Sequence, residues 1–278
     1  MVLDEKTKKD VEEVLRVVDS PAEMSVFLSG NEYSSKTREI LEELSQINGN
    51  LKFNFFDEKE ALNKKVEFLP AIQFSENAFY HGIPSGYEFQ TMLELIIQKA
   101  VSVVNVSQKV QDSVKKVSKK SSVKVFVTPT CPYCPRMAKI ALQSALLNKN
   151  IQADVYEANE FQEISEKYEV MGVPKTVINE VKNFEGAVPE TVFASELLQA
   201  AGIHEEKKKY YYSKKDNLVY EDKKPEAEEI TDPLQKKEAL ENGDRIMSKS
   251  KFILEKLFEQ YPELEHVSKH IMGEEHEE

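Results

Sequence analysis

The chain of 278 residues contains only two cysteines, nine glycines and no tryptophan. Two cysteines exclude a framework of several structural disulfides, because any bridge within the chain must join this one pair. No run approaches the roughly 20 apolar residues of a membrane-spanning helix, and residues 1–9 lack the apolar core of a signal peptide. We therefore expect a cytoplasmic protein that does not enter a membrane.

Basic residues are outnumbered by acidic ones, 37 to 49, which leaves a formal net charge of −12. Such a balance is a poor electrostatic match for phosphate backbones or anionic lipid, so we expect no nucleic acid and no membrane among the partners. Other proteins are the partners that this charge balance favours. The length is ample for two hydrophobic cores and an appendage.

Both cysteines lie in one motif, Cys131-Pro132-Tyr133-Cys134, directly after an apolar run rich in valine. A Cys-x-x-Cys pair between a strand and a helix is typical of redox sites. In most cytosols such a pair is catalytic or sensing, although hyperthermophiles also keep intracellular disulfides. A structural zinc ion needs four ligands, and the chain has no second cysteine pair, so we expect no metal.

The position of the motif suggests a role for each thiol. A thiol at a helix N-terminus faces unpaired backbone N–H groups and the positive end of the helix dipole, and both stabilise a thiolate. We therefore expect Cys131 to attack and the less exposed Cys134, one turn further on, to resolve the mixed disulfide. Pro132 fits the first helical turn. The redox-active disulfide Cys131–Cys134 is the only cofactor expected.

The chain also contains an internal repeat of strand, helix, strand, helix, hairpin and helix. Pro70 is followed 12 residues later by Gly82, and Pro174 is followed 12 residues later by Gly186. The predicted strands cover residues 24–29, 51–56 and 71–75 in the first copy and residues 123–128, 151–157 and 175–179 in the second. The copies differ in one loop, because residues 30–35 contain no thiol.

This repeat divides the chain into four predicted parts. They are a first unit without Cys-x-x-Cys (1–100), a connecting helix (101–121), a second unit with the dithiol (122–204) and a charged extension (205–278). In the extension we expect a hairpin from residues 210–212 and 218–220, and a loop over 221–233. A final helix carries the apolar stripe Ile246, Ile253, Leu254, Leu257, Phe258 and Tyr261. That stripe is expected to pack on its own core, on a partner or on a second copy of the chain.

Together these residues resemble the archaeal and thermophilic protein disulfide oxidoreductases, glutaredoxin-like proteins that join two thioredoxin folds. The resemblance rests on residues 126–135, 173–175 and 184–186 and covers about residues 5–203. It implies an α/β chain of two tandem thioredoxin-like folds, each a central mixed sheet flanked by helices, followed by the charged extension. Family members usually carry a dithiol in each unit. Here residues 31–35 replace the first one, which puts in doubt any activity that needs two cooperating dithiols.

The resemblance also implies roles for residues outside the motif. Val173–Pro174 is expected to form a cis peptide bond beside the thiols and to pair its backbone with a substrate strand. Leu69–Pro70 is its counterpart in the first unit and would provide a peptide-binding edge without chemistry. Tyr133 and Pro132 support the site. Glu157, at the end of a strand, is a candidate to receive the Cys134 proton, and the alternative is a solvated carboxylate.

The predicted function is a thiol–disulfide oxidoreductase that acts on protein disulfides or dithiols through Cys131 and Cys134. Its direction depends on the reduction potential and stays open. The resemblance implies a thioredoxin-reductase-like flavoenzyme as electron donor.

Two alternatives to this function also stay open. One is a glutathione-dependent enzyme, because Cys-Pro-Tyr-Cys is also a glutaredoxin signature, although Glu185-Gly186-Ala187 replaces the glutathione-binding pattern. The other is a partner-binding platform formed by the first unit and the extension. For the first unit, a purely structural role is as plausible as substrate binding.

Overall fold

Helices and strands alternate along residues 3–203, as expected of an α/β chain. The computed structural model describes these residues in full and, beyond them, the backbone of residues 211–213, 218–220, 228–229 and 246–247. Residues 1–204 and 205–278 form two separate compact units, which are described one at a time.

The first half of the larger unit begins with a helix and ends with a helix, and polar caps start most of its helices. Asn31 and Asp57 accept backbone N–H groups at the starts of two of them, where those groups have no partner within the helix. The elements are α1 (Glu5–Leu15), β1 (Ala22–Phe27), α2 (Glu32–Ile47), β2 (Leu51–Phe56), α3 (Glu58–Asn63), β3 (Ala71–Ser75), β4 (Ala78–His81) and α4 (Tyr87–Ala100).

The second half repeats this series element by element. Its elements are α5 (Gln108–Lys115), β5 (Ser121–Val127), α6 (Cys134–Leu147), β6 (Ile151–Glu157), α7 (Gln162–Lys167), β7 (Lys175–Ile178), β8 (Lys182–Glu185) and α8 (Glu190–Ala200). The predicted strands at 51–56, 71–75 and 151–157 have the bounds of β2, β3 and β6. Within these residues no helix is both long enough and apolar enough to cross a bilayer.

The two halves share one mixed sheet of eight strands, in the order β2-β1-β3-β4-β6-β5-β7-β8. Each half contributes four strands in the same arrangement, and the halves join where β4 pairs in parallel with β6. One hydrophobic core likewise draws side chains from both halves, such as Leu95 on α4 and Leu142 on α6. The predicted units 1–100 and 122–204 are therefore halves of one body. The pairing covers a strand edge on each half that would otherwise be open.

The repeat extends to the turn before the second strand of each half, which carries Asn-x-Asn in both copies. The first asparagine donates its side-chain amide to two carbonyls at or just after the end of the first helix of its half, and the second donates to one of the same carbonyls. These bonds join Asn48 and Asn50 to Leu15 and Val18, and Asn148 and Asn150 to Val114 and Val117. The sequence analysis did not detect this motif.

The predicted connecting helix is shorter than expected and plays a different part. Residues 101–107 are not helical, and α5 spans Gln108–Lys115. The valines at 101, 103, 104 and 106 disfavour a helix because their branched side chains crowd the preceding turn. The Asn148 bonds place α5 where Asn48 places α1. This helix is therefore the first element of the second half rather than a linker.

The smaller unit contains a four-stranded sheet, in the order β11-β9-β10-β12. The predicted hairpin is confirmed, because β9 (Tyr211–Ser213) pairs antiparallel with β10 (Leu218–Tyr220). Within the predicted loop 221–233, β11 (Glu228–Glu229) pairs with β9, so that prediction is wrong there. A two-stranded hairpin leaves two open edges whose backbone groups another short segment can pair with.

The predicted final helix is also wrong at its start. Ile246–Met247 forms β12 and pairs in parallel with β10, the other edge of the hairpin. The remaining stripe residues, 253–261, lie outside the residues that the structure describes. The expected docking or self-association of the extension therefore stays a prediction.

The Asn77 side chain offers a test of how strongly the two halves are joined. Its amide donates to the carbonyls of Ala145, Asn148 and Ile151 at 2.9, 3.2 and 2.6 Å. We expect Asn77→Ala to lower the free energy of unfolding by about 2 kcal/mol, because it leaves these carbonyls without their donor. Urea unfolding followed by circular dichroism measures the loss. The exposed Asn183→Ala is the control, and equal midpoints for the two variants would contradict the prediction.

Candidate active site

The two thiols lie at the start of α6, on the carboxyl side of β5. The helix begins at Cys134, and Pro132 and Tyr133 form a turn before it. Pro132 is therefore not in the first helical turn, and Pro135 takes that position. This turn places the Cys131 side chain at the N-terminus of the helix. The Cys134 backbone N–H donates to the Cys131 Sγ at 3.1 Å. A negative charge on Cys131 would be stabilised by this donor.

Both peptide bonds predicted to be cis are cis in the structure, Leu69–Pro70 and Val173–Pro174. The second lies directly beside the thiols. The Cys131 thiol points to the Val173 carbonyl oxygen, and the Sγ–O distance is 3.7 Å. A peptide that pairs with the Val173 backbone would therefore pass next to Cys131.

The two thiols differ in their access to solvent. Cys131 is 8% exposed and Cys134 is fully buried. Burial raises the pKa of the Cys134 thiol well above its ordinary value, and the Cys131 thiol and the Glu88 carboxylate add to the effect. The inner thiol therefore keeps its proton at neutral pH. It needs a base before it can act as a nucleophile.

Glu88, in the first turn of α4, is a site residue that the sequence analysis missed. It comes from the half that has no thiol, and it is 1% exposed. Among the described residues neither of its carboxylate oxygens has a hydrogen-bond partner. Burial raises its pKa to about 7, and the nearby Thr91 hydroxyl offsets only part of this effect. A carboxyl group in this condition can accept a proton near neutral pH.

A signal for Glu88 is present in the sequence. Met92, Leu95 and Ile96 form the buried stripe of α4, and Glu88 stands one turn before Met92 on the same face. A lone glutamate at a core position has to be buried, which is rare for that residue without a partner. Nothing local to the helix shows that a thiol of the other half lies next to it.

Glu157, the predicted proton acceptor, is hydrogen-bonded within the turn after its own strand. It is buried, and its carboxylate accepts the backbone N–H groups of Asn159 and Glu160 as well as the Asn159 side-chain amide. Burial raises its pKa, and these hydrogen bonds counteract the effect. The side chain therefore caps the turn after β6. The carboxylate whose charge raises the pKa of Cys134 is that of Glu88.

The equivalent loop of the first half makes the same hydrogen bonds as the dithiol loop, although it contains no thiol. Asn31 accepts the Ser34 backbone N–H at 2.7 Å, as Cys131 accepts that of Cys134. Its amide donates to the Leu69 carbonyl oxygen at 3.4 Å, the counterpart of the contact between Cys131 and Val173. Ser34 is buried, as Cys134 is. Asn31 and Ser34 therefore replace the two cysteines position by position.

The surface beside the dithiol is apolar. Tyr133 is 68% exposed and follows Cys131 by two residues, and Met171 is 90% exposed and precedes Val173 by two. Exposed large apolar side chains around a reactive group are typical of surfaces that bind other proteins. No group of three or more metal-ligating side chains is assembled within the part of the chain that the structure describes.

Comparison with solved structures places this geometry among known folds. The structure is similar to a protein disulfide oxidoreductase from Aeropyrum pernix k1, with a TM-score of 0.67 and 28% sequence identity over 74% of this chain and 97% of that one. It also matches the AhpF component of the alkylhydroperoxide reductase of Enterococcus faecalis, with a TM-score of 0.63 and 18% identity over 71% of this chain and 100% of that one. The latter likeness concerns the fold alone.

Comparison of sequences points in the same direction. A family model described as a thioredoxin domain matches residues 121–199. Curated relatives include an NADH dehydrogenase of Bacillus subtilis (strain 168), 24% identical over 180 residues, which are 64% of this chain and 35% of that protein. The same component of the alkyl hydroperoxide reductase of Staphylococcus aureus (strain Mu50 / ATCC 700699) is 24% identical over 179 residues, 64% of this chain and 34% of that protein.

The chain thus spans about a third of the length of these curated relatives. Its described body is a mixed α/β fold made of two thioredoxin-like halves on one sheet. By fold and by sequence, the chain is similar to redox proteins that include a disulfide oxidoreductase.

Proposed function

We propose that the chain exchanges thiols and disulfides with protein substrates through Cys131 and Cys134. The observation that carries the proposal is the contact of the outer sulfur with both the Cys134 N–H and the Val173 carbonyl. The first stabilises a thiolate, and the second puts that thiolate beside a backbone that a substrate strand can pair with. Pro174 has no N–H and leaves the pairing to Val173.

The reaction proceeds in two steps in the reducing direction. The Cys131 thiolate attacks one sulfur of a substrate disulfide, a mixed disulfide forms, and the other substrate sulfur leaves as a thiolate that takes up a proton. Cys134 then releases its proton, which the Glu88 carboxylate takes up when the two groups come within hydrogen-bond reach, and attacks the Cys131 sulfur. The Cys131–Cys134 disulfide forms, and the second substrate thiolate leaves. Two electrons pass from the dithiol to the substrate, and the reverse sequence oxidises a substrate dithiol.

The electron donor belongs to the same proposal. A thioredoxin-reductase-like flavoenzyme would restore the dithiol, as the resemblance to disulfide oxidoreductases implies. One relative is named an NADH dehydrogenase, and it is about three times as long as the part that matches this chain. This supports a donor that takes electrons from NADH. Another relative is named as part of an alkyl hydroperoxide reductase, which supports a peroxide-reducing protein as one possible substrate.

The first half contains an edge equivalent to the one that would bind a substrate strand. Leu69–Pro70 has the same cis geometry as Val173–Pro174. Its carbonyl already accepts the Asn31 amide, so a peptide would have to compete with that side chain. This favours a structural role for the first half over direct peptide binding.

The roles of the two thiols are tested by separate serine variants. Wild type is expected to accelerate the reduction of insulin by dithiothreitol, and Cys131→Ser should fall to the uncatalysed rate because it lacks the nucleophile. Cys134→Ser should accumulate a mixed disulfide, detected by mass spectrometry under non-reducing conditions. If Cys134→Ser turns over insulin at the wild-type rate, Cys134 is not the resolving thiol.

Glu88 is expected to make stability depend on pH. Its pKa is raised from 4.5 to about 7 on folding, so the folded chain holds a proton that the unfolded chain releases between these values. The stability is therefore full below the unfolded pKa and falls as pH rises through the folded pKa. Glu88→Gln should gain about 3 kcal/mol relative to wild type between about pH 4 and about pH 8.

Urea unfolding at the two pH values measures this difference. The exposed Glu166→Gln serves as the control, because it removes a carboxylate from solvent and should change little. A constant difference between Glu88→Gln and wild type at both pH values would show that Glu88 does not titrate in this range.

The thiol-less site should accept a dithiol if its geometry is that of the active site. We expect Asn31→Cys combined with Ser34→Cys to form a disulfide on mild oxidation in a chain whose two natural cysteines are serine. Maleimide labelling before and after reduction counts the thiols. The single variant Asn31→Cys is the control. Two thiols that stay free after oxidation would mean that the two sites share their hydrogen bonds but not the geometry that a disulfide requires.

A further inference from the structure

A segment of the thiol-less half rests against the loop that carries Cys131. The Tyr87 backbone N–H, at the start of α4, donates to the Pro129 carbonyl oxygen at 3.0 Å. Pro129 lies two residues before Cys131. The loop closes on itself by one bond, from the Cys131 N–H to the Thr128 carbonyl oxygen at 3.2 Å. The hydrogen bond from Tyr87 therefore attaches the Cys131 loop to the start of α4.

Gly86 makes this contact possible. Its φ is +60°, a conformation that side chains rarely adopt. A Cβ at this position would lie 2.1 Å from the Pro129 oxygen and 2.8 Å from the Pro129 carbonyl carbon. Both are backbone atoms, so no rotation of a side chain could relieve the overlap. Any residue other than glycine must push the loop and the start of α4 apart.

The second half shows that a helix start in this place does not itself require glycine. Gly86 is the cap residue of α4, and the cap residue of the equivalent helix α8 is Pro189, with an ordinary φ of −56°. The two helices begin in the same part of the repeat. What distinguishes Gly86 is its close approach to the Pro129 carbonyl of the loop that carries Cys131.

We propose that Gly86 and the Tyr87 N–H are positioning groups that set the Cys131 loop against Cys134 and Glu88. The inference rests on the proposed function of the dithiol and extends it to the half without thiols. Glu88 follows Gly86 by two residues in the same helical turn. One contact thus fixes both the loop that carries the outer thiol and the helix end that carries the buried carboxylate.

The consequence for the chemistry concerns the hydrogen bond to the Cys131 sulfur and the position of Glu88. If the loop moves away from α4, the Cys131 sulfur loses its alignment with the Cys134 N–H, and Glu88 moves relative to Cys134. The outer thiolate is then less stabilised, and proton transfer from the inner thiol is slower. Neither Gly86 nor Tyr87 has to touch a substrate for this to happen.

The first test compares Gly86→Ala with Gly202→Ala in the full chain. Gly202 also has a positive φ, +72°, but nothing lies within 4 Å of the added Cβ, so this variant places an alanine at positive φ without the collision. The readouts are the pH profile of Cys131 alkylation by iodoacetamide and the equilibrium of the dithiol with glutathione. For Gly86→Ala we expect the alkylation midpoint to move to higher pH and the rate at neutral pH to fall about tenfold. Gly202→Ala should keep the wild-type profile.

The second test removes the N–H without adding a Cβ at position 86. Tyr87→Pro deletes the donor at the first helical residue, where proline is tolerated, and Tyr87→Ala deletes the same side chain but keeps the donor. We expect Tyr87→Pro to shift the profile in the direction of Gly86→Ala and Tyr87→Ala to leave it unchanged. If Gly86→Ala does not fold, the comparison of Tyr87→Pro with Tyr87→Ala tests the inference by itself.

Two outcomes overturn the inference. One is a folded Gly86→Ala with the wild-type profile and the wild-type glutathione equilibrium. The other is an equal shift for Tyr87→Pro and Tyr87→Ala, which would assign the effect to the side chain. Alkylation and the glutathione equilibrium need no protein substrate. A chain that fails to reduce insulin but shows the expected shifts would therefore count against the proposed function and leave the positioning role in place.

Discussion

The parallel pairing of β4 with β6 is the constraint on which the rest of the larger unit depends. It aligns Ala78 with Ala153 and His81 with Tyr156, and so turns two four-stranded sheets into one. The His81 ring stacks on that of Tyr156 with centroids 4.6 Å apart. Its Nε2 lies 3.0 Å from the Asp154 carboxylate and its Nδ1 2.8 Å from the Phe68 carbonyl oxygen. Because the strands are held in this register, α4 of one half packs against α6 of the other.

The two halves show how one backbone frame supports reactive and unreactive side chains. In each half a side chain at the helix start accepts a backbone N–H three residues later and contacts the carbonyl before a cis proline. Cysteine fills this position in the second half and asparagine in the first, and the next buried position holds Cys134 or Ser34. The hydrogen bonds that shape the loop are therefore independent of the redox chemistry. The half without thiols has the same order of helices and strands as the half with them.

The chemistry is nevertheless divided between the halves. Both thiols and the cis proline beside them belong to the second half, while the buried Glu88 and the hydrogen bond from Tyr87 to the Cys131 loop come from the first. A single thioredoxin-like unit cut from residues 122–204 would lack both. The similarity to a disulfide oxidoreductase covers 74% of this chain and 97% of that one, so it extends over more than one half.

Local sequence was sufficient for the features that depend on neighbouring residues. The repeated pattern of elements predicted β2, β3 and β6 to the residue, the Cys-Pro-Tyr-Cys motif located the thiols, and the repeated spacing of proline and glycine revealed the duplication. It failed where distant segments meet. Residues 246–247 carry a helical stripe but form a strand, because the open edge of a hairpin can pair with them. Glu157 ends a strand as predicted and caps its own turn, whereas the charge of Glu88, 43 residues before Cys131 in the chain, raises the pKa of the inner thiol. Spacing along a chain determines which residues share a face, but only the pairing of the two halves brings a carboxylate of one copy to the dithiol of the other.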